Sequence, residues 1–147
     1  MDRRMKPMRL ELEEARRRFA AAPVARLATV TPDGRPHLVP IVFALERNRI
    51  YSIVDTKPKA RTSLARLRNI EANPQVSLLV DAYSDDWEWL WWVRADGRAT
   101  VVADGPDSER AIILLRAKYP QYLDADLEFG SATIADVERW VGWTAGR

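Results

Sequence analysis

Three short apolar runs follow one another between residues 24 and 55: VARLATVT (24–31), HLVPIVFAL (37–45) and IYSIVD (50–55). Runs this short and this rich in β-branched residues are strands. The first link, TPDG (31–34), has Pro second, Asp third and Gly fourth, as a type I turn requires. The second, ERNR (46–49), is a polar turn. Links of this length join antiparallel neighbours, so the three strands form a β-meander. Pro40 has no N–H to give to a ladder, which places the second strand at an edge or puts a bulge there.

Before and after the meander the period becomes helical. Over residues 8–22, Met8, Leu12, Ala15, Phe19 and Ala22 share one face, Glu13–Arg17 and Glu14–Arg18 are supporting pairs, and Pro23 ends the helix. Ala60, Leu64, Leu67 and Ile70 give a second helix an inward apolar face, and Asn73-Pro74 stops it. A third helix covers 107–118 with Ala111, Leu114 and Leu115. VSLLVDA (76–82) is a fourth strand and LWWVRADGRATVV (90–102) is strand-like. Within the latter, Asp96-Gly97 is either a hairpin turn or a glycine inside one long bent strand. The tail, 131–143, suits a capped helix or a terminal strand equally. Five or six strands with helices around them give an α+β, mainly β domain or a small barrel. No repeat or linker divides the 147 residues, so one domain over 1–147 is expected.

Composition narrows the function. The chain is 47% hydrophobic and 30% charged, enough for one core. The absence of cysteine excludes disulfides, thiolate ligands and a thiol nucleophile, and the one histidine, His37, excludes a multi-histidine metal site. The 23 basic and 21 acidic residues leave a net charge of +2, too balanced for a nucleic-acid binder. No apolar run reaches the length of a membrane span and no signal peptide opens the chain, so a cytoplasmic protein is expected.

Against that balance, TKPKARTSLARLRN (56–69) is one-sided. Lys57, Lys59, Arg61, Arg66 and Arg68 are basic and nothing in it is acidic. A charge run is most often a solvated helix face. This one begins where a strand hands over to a helix, where free backbone N–H groups and the positive end of the helix dipole already favour an anion. Several directed donors in a local positive field suit a phosphate. Arg61 and Arg68, seven apart, share a face and extend the charge.

The six tryptophans include Trp87, Trp89, Trp91 and Trp92 within six positions. Aromatic residues usually serve core and interface packing, but Trp87 or Trp89 could wall a pocket for a flat substrate. Trp91 and Trp92, as strand neighbours, point to opposite faces. His37 is expected to be partly exposed and without a catalytic task. Asp85 and Asp86 are expected in a solvated loop, and no Ser-His-Asp or paired-carboxylate hydrolase constellation is present.

Taken in order, the amphipathic helix, VARLATVTPDGRPHLVPIVF, KPKARTSLARLRNIEANPQVSLLVD and WWVRADGRATVV resemble the pyridoxamine-5′-phosphate-oxidase-like, FMN-binding split β-barrel superfamily over roughly residues 8–145. Within it the chain is most similar to the coenzyme F420-dependent reductases. The resemblance implies a six-stranded split barrel with flanking helices, a homodimer, and two cofactor sites at the dimer interface. It implies that Lys57, Lys59 and Arg61 hold the cofactor phosphate, with Thr62 and Arg68 as additions. It implies that Thr29, Val39 and Pro40 line the ring system, with Tyr51 and Ser52 beside them. It also makes residues 93–102 one continuous strand. The implied cofactor is F420, with FMN as the alternative. The implied activity is hydride transfer from reduced deazaflavin to an electron-poor small molecule, and no catalytic side chain is singled out. The rivals are an FMN oxidase or reductase and a non-enzymatic flavin or F420 carrier.

Overall fold

The computed structural model describes residues 7–55, 61–124 and 129–146, and the side chains within them except at 55 and 61–64. In chain order the elements are β1 (Met8–Arg9), α1 (Leu12–Ala21), β2 (Ala25–Val30), β3 (Pro36–Ile41), β4 (Ala44–Glu46), β5 (Arg49–Asp55), α2 (Arg61–Ala72), β6 (Gln75–Ala82), β7 (Trp91–Val102), α3 (Pro106–Lys118) and β8 (Phe129–Thr144). Short 3₁₀ turns lie at Trp87–Trp89 and Pro120–Leu123.

The meander forms as expected. β2 and β3 pair from Ala25↔Ile41 to Val30↔Pro36. Their link is closed by a 2.9 Å bond from the Gly34 N–H to the Thr31 carbonyl, with Gly34 at φ 87. That conformation costs glycine little, because it has no Cβ. The strands follow one antiparallel path, β3-β2-β6-β7-β8-β5-β4, with β1 paired to the end of β8. β3 and β4 stand at the two ends of this path, yet only Val42 and Phe43 separate them in sequence. The sheet therefore curls until its edges approach at that bend. The result is a split barrel whose hydrogen-bond ladder does not close.

Among the described residues eight strand segments stand where six were expected. The second expected strand, 37–45, is broken at Val42–Phe43, because Tyr119 takes the Phe43 backbone out of the ladder. The Phe43 N–H donates to Tyr119 Oη at 3.2 Å, and Tyr119 Oη donates to the Phe43 carbonyl at 3.0 Å. The expected helix over 8–22 begins only at Leu12. Residues 8 and 9 instead pair with Thr144 and Trp143, adding the short β1. Met8 and Leu12 are exposed, and Ala15 and Phe19 carry the buried face. Glu14–Arg18 forms at 3.5 Å, whereas Glu13 pairs with Arg16 and Arg17 with Glu14.

Pro40 lies on an edge strand, opposite Arg26, with no register shift between β2 and β3. β7 is one strand through Asp96-Gly97, so the local hairpin signal fails there. The β8 backbone passes so close that a Cβ on Gly97 would collide with the Asp136 carbonyl oxygen. The register shifts at the same place, from Asp96↔Arg139 to Gly97↔Val137, which leaves Glu138 as a bulge. The ambiguous tail is strand. β8 runs for 16 residues between β7 and β5, and paired ladders on both sides outweigh its helical capping signal.

The barrel interior is filled by Leu27, Ile41, Leu78, Val80, Val93 and Ala95, capped at one end by Phe19 of α1 and at the other by Ile70 of α2. Phe19 packs on Phe43 and Trp140 with ring centroids 4.9 and 5.2 Å apart. Outside the barrel, α3 lays Ala111 and Leu115 over Tyr51, Ile53 and Ile134. Burial on both faces explains why β5 reads as a nearly continuous apolar run.

Candidate functional site

β5 ends at Asp55, where it pairs with Phe129, and the chain re-enters regular structure at Arg61, the start of α2. Lys57 and Lys59 lie outside the described residues, as do the side chains of Arg61 and Thr62. From Ala65 onward the helix is fully defined. Ile70 is buried in the barrel end, and Asn69 is 3% exposed. The Asn69 side-chain amide donates to Thr29 Oγ1 at 3.0 Å. Thr29 is itself 2% exposed, so this is a fully desolvated bond that fixes α2 against β2. The helix ends where Pro74 follows Asn73, and Asn73 Oδ1 accepts from the Gln75 N–H at 3.1 Å.

The two outer arginines of the basic segment separate. Arg68 is exposed. Arg66 is 9% exposed, and its Nε has no hydrogen-bond partner among the described residues. Burial pushes its pKa below the usual guanidinium value, opposed by Tyr122. Sequence reasoning could not rank this residue within the run. The available signal was its spacing, four residues before the core residue Ile70.

The expected ring-lining side chains do not converge within one chain. Thr29 faces inward onto Asn69, and Val39 packs against the barrel core. Pro40 is exposed on the opposite face of its strand. Tyr51 lies beneath α3, with the Arg49 guanidinium 5.6 Å from its ring. Ser52 is buried against Thr133, the two hydroxyls sharing a hydrogen bond. What the fold does present is a groove of about 520 Å³ on the outer face of β3, β2, β6 and β7. It is lined by Leu38, Leu79, Trp92 and Arg94 among others. Its size lies within the usual range for small-molecule sites. Beside it, Asp96 accepts from Ser77 Oγ at 2.7 Å and Arg94 Nε at 2.9 Å.

Trp87 and Trp89 are 60% and 50% exposed, on a turn held by Asp86, whose side chain accepts from the Glu88 N–H at 3.2 Å. Trp89 and Trp91 line a separate groove with Arg17 and Arg18, and the Arg18 guanidinium lies 5.4 Å from the Trp91 ring centre. Trp92 faces the other way, onto the outer groove, as strand alternation requires. The Trp turn precedes Trp91, at the far end of β7 from Val102. Val102 pairs with Ala132, close to the Phe129 end of β8 where β5 leads toward α2. The length of β7 thus separates the turn from the start of α2, roughly 35 Å along the strand. His37 is half-buried, with Nδ1 lacking a hydrogen-bond partner among the described residues. Among the described residues no group of acids and histidines could hold a metal, and no helix is long and apolar enough to cross a membrane.

These elements define an open antiparallel barrel with a polar helix closing one end. The sequence model of the pyridoxamine 5′-phosphate oxidase family matches residues 12–140, and the chain belongs to that family. Solved structures share the fold. An FAD-binding protein from Mesorhizobium loti is 24% identical, covering 97% of this chain and 99% of its own, with a TM-score of 0.72. The FAD-binding protein from Mycobacterium smegmatis is 17% identical, covering 94% and 97%, with a TM-score of 0.60. The heme storage protein HutZ from Vibrio cholerae is 20% identical, covering 90% and 94%, with a TM-score of 0.66.

Proposed function

We propose that this chain is an oxidoreductase that binds the deazaflavin F420 as a homodimer and passes a hydride to an electron-poor small molecule. The observation that carries the reading is the family match together with the run of basic residues, Lys57 to Arg68, in the sequence leading into and through α2. Lys57, Lys59, Arg61 and Thr62 would grip the phosphate, and Arg68 would meet the charged tail from its exposed position. Reduced F420, when bound, would supply the hydride. The protein contributes anchoring, orientation and a pocket that excludes water. Thr29, Val39, Pro40, Tyr51 and Ser52 point in different directions within one chain. Contact with the ring would therefore come largely through their backbone and through the outer groove once a second copy covers it. The Trp87 and Trp89 side chains would reach the substrate side from that second copy, since their own α2 is distant.

A second reading, FMN or FAD in the same place, is favoured by the two FAD-binding proteins that share the fold. Side-by-side titration with F420, FMN and FAD, read by tryptophan quenching, separates the two. F420 binding at least as tight as either flavin, followed by turnover with an acceptor panel, supports the first. Preference for FMN or FAD supports the second. Binding without hydride transfer to any acceptor leaves a carrier. Replacing Lys59 and Arg61 together by Ala is expected to weaken coenzyme binding by about 2–4 kcal/mol, with little effect on unfolding. Unchanged affinity in that double variant would remove the phosphate assignment.

A further inference from the structure

A groove of about 450 Å³ lies between the last turn of α1, the end of β6 and the start of β7. Its space comes from small residues. Ala21 belongs to the helix, and Ala82 stands opposite Trp91 across the β6–β7 ladder. Trp89 and Trp91 wall it, and Arg17 and Arg18 bring two cations to it. The volume lies within the range of small-molecule sites. Trp91 and Trp92 point to opposite faces of β7, so this groove is separate from the outer one that Trp92 lines.

Both arginines are already positioned. The Arg18 guanidinium lies 5.4 Å from the Trp91 ring centre, its Nε is 3.5 Å from Glu14, and its side chain is 15% exposed. Arg17 directs Nε and Nη2 at the same carboxylate, each at 2.7 Å, and its side chain is 70% exposed. One carboxylate thus serves two guanidiniums, each with more donors than a single carboxylate can take. Asp81 meets the groove from β6, with Arg26 3.9 Å away. Three cations stand against two carboxylates here, an excess of one positive charge. That excess matches a monoanion better than a phosphate dianion. Trp89 is 50% exposed, a large apolar plane left against water. Flat rings stack on an indole, and a guanidinium edge pairs with a carboxylate.

We propose that this groove binds a planar aromatic monocarboxylate, its ring against Trp89 and its carboxylate on Arg17 and Arg18. The cost of ordering is low, because Glu14 and Trp91 hold the arginines before a ligand arrives. One chain supplies the whole groove. The proposed function puts Trp89 on the substrate side of a second copy's coenzyme, so the same class would describe the hydride acceptor; that identification alone rests on that reading.

The probe is 2-naphthoate, titrated into isotope-labelled protein without added coenzyme and followed by NMR through the tryptophan indole N–H signals. Saturable binding with a Kd of about 1 mM or below is expected. The Trp89 and Trp91 signals should shift, and that of Trp140, whose indole donates to Asn48, should stay in place. 2-Naphthamide, flat but neutral, and cyclohexanecarboxylate, charged but not flat, should each bind about fivefold or more weakly. 2-Naphthyl phosphate should bind no more tightly than 2-naphthoate. Arg18→Met should lose about tenfold in affinity, and Arg17→Ala and Trp89→Leu about threefold or more. Arg16→Ala, on the same helix but not lining the groove, should bind like wild type. Asp81→Asn, which removes a carboxylate from the groove, should bind at least as tightly as wild type. Arg17 is exposed, so Arg17→Ala stays informative should Arg18→Met not fold. A wild type without saturable binding, or an unchanged affinity in either Arg17→Ala or Trp89→Leu, overturns the site. Weaker binding in Asp81→Asn, or a preference for the phosphate, overturns the monoanion assignment. If 2-naphthoate does not bind while F420, FMN or FAD does, the groove fails and the coenzyme reading survives. If 2-naphthoate binds as stated and none of those coenzymes does, the groove stands and the coenzyme reading fails.

Discussion

The Nζ of Lys118 lies 3.8 Å from the centre of the Phe43 ring and donates to the Ala22 carbonyl at 2.7 Å. The hydroxyl of the next residue, Tyr119, lies 2.9 Å from the Pro23 carbonyl and 3.0 Å from the Phe43 carbonyl, its one proton shared between them. Two adjacent side chains thus tie the end of α3 to the α1–β2 link and to the bend where β3 becomes β4. Burial pushes the Lys118 pKa down to about 8 from 10.5. In the unfolded chain it returns to about 10.4. Between these values the folded state has shed a proton that the unfolded state still holds, so stability rises with pH across that window and the gain is lost as pH falls through 8. Lys118 is only half-buried, and solvent screening reduces the amplitude to about 1–2 kcal/mol. Urea unfolding of wild type at pH 7 and pH 10 should show this gain relative to Lys118→Met, which lacks the titrating group. A gain of equal size in both proteins would assign it to other residues. None of this geometry was legible in the sequence, where Lys118 is simply a basic residue in the last turn of a helix. The same holds for Arg66, since a charge run reads as solvated until the packing of its helix is known.

At the scale of elements, strands bounded by strong turn chemistry were legible and those shaped by distant contacts were not. TPDG fixed the β2–β3 hairpin, and Asn73-Pro74 fixed the end of α2, because turn and stop signals act within a few residues. The break at Phe43 depends on Tyr119, 76 residues away. The short β1 depends on the far end of β8. Asp96-Gly97 was the instructive failure of local reading. Its glycine serves the close passage of β8 rather than a turn, and only the family resemblance favoured the continuous strand. Gly97→Ala tests this directly. The obstructing atoms are backbone on both sides, so the two longest strands must part locally, at a cost of about 2–4 kcal/mol. Denaturant unfolding should show a midpoint lowered accordingly. A hairpin with Gly97 at positive φ would also have lost about 1 kcal/mol, so it is the larger loss that reports the close passage of β8, and a near-neutral result would mean the strands separate more easily than their register implies. The expected phosphate residues Lys57, Lys59, Arg61 and Thr62 remain proposals at this scale, carried by where α2 begins.

The whole molecule has one face that the single chain leaves unfinished. On the outer side of β3, β2, β6 and β7 the alternation that should turn polar residues to water instead leaves Leu38 and Leu79 exposed around the groove floored by Ala28, Ser77 and Trp92. The expected side chains for the ring are scattered inside and outside the barrel, and the Trp turn lies far along β7 from α2. A two-fold dimer formed through this face, as proposed above, would account for both facts. Each copy would cover the other's groove and bring its Trp87 and Trp89 toward the other's α2. A stable interface of this kind removes about 800 Å² from each partner, and a two-fold axis places every substitution in it twice. Leu38→Glu is the sharp test. In an isolated chain an exposed position tolerates glutamate within about 0.5 kcal/mol. At a dimer interface it would place two carboxylates, one per copy, in a desolvated layer, where an unpaired charge is strongly unfavourable. Sedimentation velocity at micromolar concentration should therefore show a dimeric wild type and a monomeric Leu38→Glu with unchanged circular dichroism, and coenzyme affinity should fall with the dimer. A wild type that sediments as a monomer removes the dimer. A Leu38→Glu that stays dimeric moves the interface to another face, and the groove would then have to bind its ligand from one chain alone.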